Sequence, residues 1–65
     1  MLTIGEKIKY CRKEKGLTQK ALGELCGMSS EKISQYERGI RNPKWLAVNK
    51  IARALNVSAN YLLDC

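Results

Sequence analysis

Three glycines, at positions 16, 27 and 39, divide the first two-thirds of this sequence into short segments. Glycine readily adopts the left-handed backbone conformation that ends a helix, so each of the three marks the C-terminus of a predicted helix. Between them, apolar residues recur at helical spacing, and no stretch reads as a β-hairpin. The sequence therefore predicts an all-α fold that is built from short helices.

Polar capping residues predict where these helices begin. Thr3 and Glu6 form a capping box before a helix over residues 4–15, and Thr18 and Ser29 precede helices over 19–26 and 30–37. A fourth helix is predicted to open at Asn42-Pro43, with Asn42 as its N-cap and Pro43 at the first helical position, and to end at Asn56. Ser58 caps a short fifth helix, and the terminal residues Asp64 and Cys65 are expected to fray.

Apolar periodicity assigns the core. We expect one buried stripe on each helix, with Met28 filling a gap in the turn between the second and third helices. The predicted core residues are Ile4, Ile8, Cys11, Ala21, Leu22, Leu25, Cys26, Ile33, Tyr36, Trp45, Val48, Ile51, Ala52, Leu55, Tyr61 and Leu62. Leu46 falls beside this stripe and is expected to be exposed, either as an ordinary surface residue or as a contact between two copies.

The third helix is the least apolar. Only Ile33 and Tyr36 are apolar, and the positions around them are polar: Ser30, Glu31, Lys32, Ser34 and Gln35. The second and third helices are each about two turns long and are joined by a short turn, which is typical of a helix-turn-helix. A helix that exposes a broad polar face in this motif fits the major groove of DNA, with its side chains at the base edges.

Composition narrows the class of function. The chain has 65 residues, 12 Lys and Arg against six Asp and Glu, and a net charge of +6. This balance favours a polyanionic partner, and the length predicts a single domain over residues 1–65. An enzyme is disfavoured, because the sequence has no histidine, no nucleophile paired with a base and no phosphate-binding loop. We expect no cofactor, no metal and no small-molecule ligand.

The cysteines at positions 11, 26 and 65 are odd in number and widely spaced, so they predict neither a disulfide framework nor a zinc site. Cys11 and Cys26 lie on apolar stripes and are expected to be buried, inert thiols in a reducing compartment. With no apolar run long enough for a membrane span and no secretion signal, the sequence predicts a cytoplasmic protein.

The stretch GLTQKALGELCGMSSEKISQYERGIRNP resembles the Cro and lambda-repressor-like (XRE-type) helix-turn-helix family, and the resemblance extends from Ile4 to Leu63. It rests on several short motifs in order: Arg12, Gly16-Leu17-Thr18-Gln19, Ile33-Ser34, Glu37-Arg38-Gly39, Asn42-Pro43 and the segment IARAL at 51–55. The family implies a compact five-helix bundle that binds specific double-stranded DNA, usually as a symmetric dimer. It points to a regulator, most often a repressor, from a bacterium, phage or mobile element.

The resemblance also implies roles for individual residues. Gln19 matches a glutamine that contacts a phosphate and braces the third helix, and Arg12 with Glu37 matches a structural ion pair. Thr18, Ser29 and the loop residues Arg38, Arg41, Asn42 and Lys44 are expected at the DNA backbone. Ser30, Glu31, Ser34 and Gln35 match the groove-facing positions. The dimer would bind a near-palindromic site whose half-sites are about one helical turn apart, near 34 Å.

Residue chemistry supports several of these roles independently. Gln35 can contact adenine at N6 and N7, and Glu31 can accept a hydrogen bond from cytosine N4. Ser30 and Ser34 can contact either base. Because the third helix has no arginine, a guanine contact would come from Lys32 or be absent. There are two alternatives for Glu31: it is a solvated charge, or it repels phosphate and so disfavours binding to wrong sequences. Gln19 has the alternative of a polar residue at a helix start.

Two further hypotheses remain open. Gly23 occupies a position that is normally alanine in the family, and glycine inside a helix costs about 0.5–1 kcal/mol relative to alanine. We therefore expect Gly23→Ala to raise the melting temperature.

The rival to DNA binding is a protein-interaction module, such as an antitoxin that mainly binds a partner protein.

Overall fold

The computed structural model describes residues 2–63, and within them the chain forms five α-helices and no strand. These are α1 (Ile4–Glu14), α2 (Gln19–Cys26), α3 (Ser30–Glu37), α4 (Trp45–Leu55) and α5 (Ala59–Leu63). The all-α prediction is confirmed, and the helix boundaries agree to within a residue except at the start of α4. The expected fraying of Asp64 and Cys65 lies outside the described residues.

Local capping fixes the first three helices where the sequence predicted them. Thr3 and Glu6 form the capping box of α1, with the Glu6 backbone N–H donating to Thr3 Oγ1 over 3.1 Å. Thr18 Oγ1 accepts from the Ala21 N–H, and Ser29 Oγ accepts from the Lys32 N–H. Gly27 ends α2 with φ 72°, a conformation that glycine adopts without strain.

The core is formed by one apolar stripe from each helix. The largest fully buried side chains are Ile8, Leu22, Ile33, Val48, Ile51, Leu55 and Leu62. Tyr36, Ala52 and both predicted core cysteines are also buried, and Ile4 and Met28 pack against this cluster from its edge. α2 packs against both α3 and α4, and α1 bridges α3 and α5. Burying this apolar area is the main force that holds the short helices together.

Three predicted core residues are exposed instead: Leu25, Trp45 and Tyr61. Trp45 is 59% exposed. It is the first residue of α4, and the buried stripe of this helix begins only one turn later, at Val48. Tyr61 is 41% exposed, and its ring lies under the Lys7 ammonium, 5.2 Å from the ring centre. Periodicity identified the correct stripes but overestimated their width and length.

The predicted start of α4 is wrong. The N-cap is Lys44, with an extended backbone at ψ 172°, and its side chain makes no capping hydrogen bond. Asn42 and Pro43 therefore lie in the loop 38–44, which connects α3 to α4 in a non-helical path. The first backbone N–H groups of α4 are left without a side-chain cap, next to exposed residues.

The structure contradicts the expectation for Gly23. A Cβ atom at position 23 would lie 2.5 Å from the carbonyl oxygen of Met28, well inside van der Waals contact. The obstacle is backbone, which cannot move aside as a flexible side chain would. Gly23 is thus required by the close approach of α2 to the turn before α3, and its cost in helix propensity is the smaller effect.

Cys11 and Cys26 are buried, as predicted from their apolar stripes, and both are free thiols. Burial raises the pKa of the Cys26 thiol above its usual value, and the positive charge of Lys50 opposes this in part. A thiol that resists ionisation is a poor nucleophile, so Cys26 behaves as a small apolar core residue.

Candidate nucleic-acid interface

The turn between α2 and α3 fixes the geometry of the candidate interface. The Met28 N–H donates to the Gly23 carbonyl over 2.7 Å, and Gly27 turns the chain so that Ser29 begins the next helix. Leu22 on α2 and Ile33 on α3 are fully buried and belong to the same core cluster. These contacts hold α3 by its narrow apolar stripe and leave its other side free of the core.

The free side of α3 is polar. Ser30, Glu31 and Lys32 are exposed, and Ser34 and Gln35 are half-buried. The buried positions of the helix are Ile33, Tyr36 and Glu37. All five residues predicted to contact bases therefore lie on one helix, and none of them is fully buried.

Two hydroxyl groups lie at the N-termini of α2 and α3. The hydroxyl oxygens of Thr18 and Ser29 accept from backbone N–H groups in their own caps. A hydroxyl that accepts a hydrogen bond keeps its own O–H proton for a second partner. Each cap can thus donate to an anion while it continues to stabilise its helix.

A buried ion pair joins the end of α3 to α1. Arg12 Nε donates to Glu37 Oε2 over 2.7 Å, and Arg12 Nη2 donates to Glu37 Oε1 over 3.1 Å. The guanidinium also donates to the Leu17 carbonyl over 2.8 Å, just before α2 begins. The predicted Arg12–Glu37 pair is present, and it fixes three parts of the chain in one place.

Gln19 extends this network. Its Nε2 donates to Glu37 Oε1 over 3.1 Å, so the first residue of α2 is tied directly to the end of α3. The resemblance implied that Gln19 braces the third helix, but it did not predict that the brace passes through the carboxylate of the ion pair. The Thr-Gln and Glu-Arg motifs carry no signal for that contact, because it depends on how α2 crosses α3.

Basic residues continue the polar surface beyond α3. Arg38, Arg41, Asn42 and Lys44 are exposed along the loop 38–44. A groove between α3 and the start of α4 is lined by Lys32, Arg41, Lys44 and Lys50 beside the exposed Trp45. The sequence analysis did not include Lys50 in this basic set, because Lys50 lies on α4 and comes to the same groove only in the folded chain.

Two short helices joined at a glycine turn, with the second presenting a polar face, define a helix-turn-helix protein. A family model described as helix-turn-helix matches residues 8–62. The chain belongs to this family.

Relatives of known sequence align with most of the length of this chain. It is 39% identical over 62 residues to the HTH-type transcriptional regulator SinR of Bacillus subtilis, covering 94% of this chain and 56% of SinR. It is 34% identical over 62 residues to the regulator ImmR of the same organism, covering 95% of this chain and 49% of ImmR. The chain thus spans about half the length of these relatives.

Solved structures agree closely with the fold. The P22 c2 repressor in complex with a synthetic operator has a TM-score of 0.93 at 36% identity, covering 98% of this chain and 97% of that one. SinR in complex with DNA has a TM-score of 0.90 at 38% identity, covering 95% of this chain and 100% of that one.

Within residues 2–63, no helix is both long and apolar enough to cross a membrane.

Proposed function

We propose that this chain binds double-stranded DNA and regulates transcription, and that α3 reads the sequence in the major groove. The observation that carries this proposal is the polar, uncovered side of α3, held at the edge of a helix-turn-helix. It is supported by the similarity to the P22 c2 repressor and SinR, both solved with DNA. These relatives favour DNA binding over a module that mainly binds a partner protein.

Base recognition is assigned to five side chains of α3. Gln35 contacts adenine through N6 and N7, and the serines contact base edges of either kind. Glu31 accepts from cytosine N4, and Lys32 is the donor for guanine. The proposed base-contacting set is Ser30, Glu31, Lys32, Ser34 and Gln35.

Phosphate contacts surround these residues and set the register of the helix in the groove. Gln19, Thr18 and Ser29 donate from the N-termini of α2 and α3. Arg38, Arg41, Asn42 and Lys44 follow the backbone along the loop 38–44. The uncapped first N–H groups of α4, beside Lys44, add partial positive charge at the same place.

We further propose that two copies bind one near-palindromic site as a symmetric dimer. Leu46 is 73% exposed and Trp45 is its exposed neighbour, which together make an apolar patch at the start of α4. Desolvating this patch between two copies would favour association once DNA has brought them together. The twofold axis of the dimer then matches the twofold axis of the site.

We also propose that residues 1–65 act as one DNA-binding domain, that the protein works in the cytoplasm, and that it binds DNA without a cofactor. Repression follows from simple occupancy, since a protein bound over a promoter blocks access of the polymerase.

Selection of bound sequences from a pool of random duplex DNA tests the proposal. We expect enrichment of an inverted repeat with half-site centres about one helical turn apart. A Ser34→Ala, Gln35→Ala double variant serves as the matched control and should lose or change the preferred bases. Absence of any enriched motif, together with DNA binding that does not respond to salt, would overturn the proposal.

A further inference from the structure

We propose that Glu37 is a positioning residue for DNA binding: its carboxylate fixes the orientation of the Gln19 amide and leaves one amide N–H available for a phosphate. This inference rests on the proposed function, since it needs DNA as the partner. It gives Glu37 a second role beside its ion pair with Arg12. The role passes through the side chain of Gln19 and not through any contact of Glu37 with DNA.

The geometry places one carboxylate oxygen between two donors. Glu37 Oε1 accepts from Arg12 Nη2 and from Gln19 Nε2, each over 3.1 Å, and Oε2 accepts from Arg12 Nε over 2.7 Å. The Glu37 side chain is 3% exposed, so water does not compete for these positions. Gln19 is half-buried, so the residue as a whole is still reached by solvent.

The chemistry of the two groups decides the orientation of the amide. A carboxylate paired with a guanidinium accepts hydrogen bonds and donates none, so that only the NH₂ end of Gln19 can face it. That end carries two protons, and Glu37 uses one of them. A phosphate oxygen also only accepts, so it needs the same end of the amide. If the amide turned over, its carbonyl oxygen would face the phosphate and repel it.

The anchoring of Arg12 makes this orientation rigid. Its third contact, to the Leu17 carbonyl, lies two residues before Gln19 at the entry to α2. The guanidinium therefore holds the carboxylate and the start of α2 in a fixed relation. A pre-oriented donor loses little freedom on binding, which is what makes one neutral contact effective.

A double-mutant cycle tests the proposal, using the selected duplex and a random-sequence duplex. Gln19→Ala removes the donor and should weaken binding to both by about tenfold, since a phosphate contact carries no sequence information. Glu37→Gln allows the amide to turn over and should weaken binding in the same way. In the Gln19→Ala background, Glu37→Gln should have no further effect.

The sign of the effect separates positioning from charge. Glu37→Gln removes a negative charge from a basic protein, which on electrostatic grounds alone should tighten DNA binding. Glu24→Gln is the matched control, because it removes the same charge from an exposed position on α2 and should not weaken binding. Additive losses in the cycle, or tighter binding by Glu37→Gln, would overturn the proposal.

A measurement on the unaltered protein covers the case in which Glu37→Gln does not fold. The Gln19 side-chain amide is followed by ¹⁵N NMR as the selected duplex is added. We expect two separate proton signals in the free protein, of which only one shifts strongly with DNA. Equal shifts of both, or of neither while α3 signals move, would overturn the positioning role and leave DNA binding intact. A lack of response anywhere would count against both proposals.

Discussion

Gly23 and Gly5 are the two places where a single methyl group decides the packing of this chain. Gly23 brings α2 against the turn at Met28, and Gly5 brings the first turn of α1 against the carbonyl groups of Tyr36 and Glu37. In both cases an added Cβ would meet backbone atoms, in the turn before α3 for Gly23 and at the end of α3 for Gly5. Small residues are therefore needed here for contact between helices and not for backbone conformation.

We predict that Gly23→Ala lowers the stability of the fold. The gain in helix propensity, about 0.5–1 kcal/mol, is outweighed by an overpacking cost of about 1–3 kcal/mol. For a domain of this size each 1 kcal/mol shifts the melting temperature by about 4–8 °C. Thermal unfolding followed by circular dichroism checks this, with Lys20→Ala on the exposed side of α2 as the control. A higher melting temperature would show that the turn can move aside.

A second prediction concerns the buried ion pair. Glu37→Ala leaves the Arg12 guanidinium buried without its counter-charge, which should cost about 3–5 kcal/mol of folding free energy. Replacing both partners, with Arg12→Met and Glu37→Leu, should cost clearly less than the sum of the single changes. Urea unfolding measures this. Strict additivity would mean that the two side chains do not depend on each other.

At the scale of elements, the proposed function divides recognition between α3 and the loop 38–44. On this proposal the side chains of α3 distinguish bases, and the charges of the loop bind the DNA backbone of any sequence. The division follows from packing, because α3 buries only Ile33, Tyr36 and Glu37, and the loop 38–44 is exposed apart from the half-buried Pro43. The two elements should therefore respond differently to mutation.

We predict that Gln35→Ala changes specificity and Arg41→Ala changes affinity. Losing Gln35 should cost about 1–3 kcal/mol on the selected duplex and relax the preference at one base pair in each half-site. Losing Arg41 should weaken binding equally on selected and random duplexes. Competition binding on the two duplexes measures both. A uniform loss for Gln35→Ala would place that residue at the backbone.

A third element, the start of α4, is assigned to the contact between copies. Leu46→Ser should leave binding to a duplex with one half-site unchanged and should reduce the cooperativity of binding to two half-sites. The apolar patch is small, so we expect a change of a few fold. Mobility-shift titrations on the two duplexes separate the binding of one copy to a half-site from the cooperative binding of two copies. Unchanged cooperativity would remove Leu46 from the interface.

How far the sequence predicted each element depends on the range of the contacts involved. The caps at Thr3, Thr18 and Ser29 involve hydrogen bonds within three residues, and all three were predicted. The requirement for Gly23, the exposure of Trp45 and the Gln19–Glu37 contact depend on how helices meet, which periodicity does not describe. The polar face of α3 was predictable, because it consists of the helix positions that lie outside the apolar stripe.

At the scale of the whole molecule, we expect charge to control the affinity for DNA. The net charge of +6 lies partly in the loop 38–44, where Arg38, Arg41 and Lys44 are exposed. In the proposed dimer, two copies would bring about six such charges to one site, and each phosphate that they neutralise would release counterions. We predict that log K falls with log salt at a slope of about −5.

Titrations over a range of salt concentrations measure this slope. Arg38→Gln should make it shallower by about two, one for each copy of the dimer. Gln19→Ala should leave it unchanged, since a neutral amide releases no counterion. A slope near zero would mean that the basic loop does not reach the DNA.

The most direct test of the account is a map of the DNA-contacting surface by ¹⁵N NMR of the backbone amides as the selected duplex is added. We predict that the largest shifts fall on α3, the N-terminus of α2 and the loop 38–44, with little change along α5. Shifts concentrated on α1 and α5, with α3 unaffected, would contradict the claim that α3 reads the major groove.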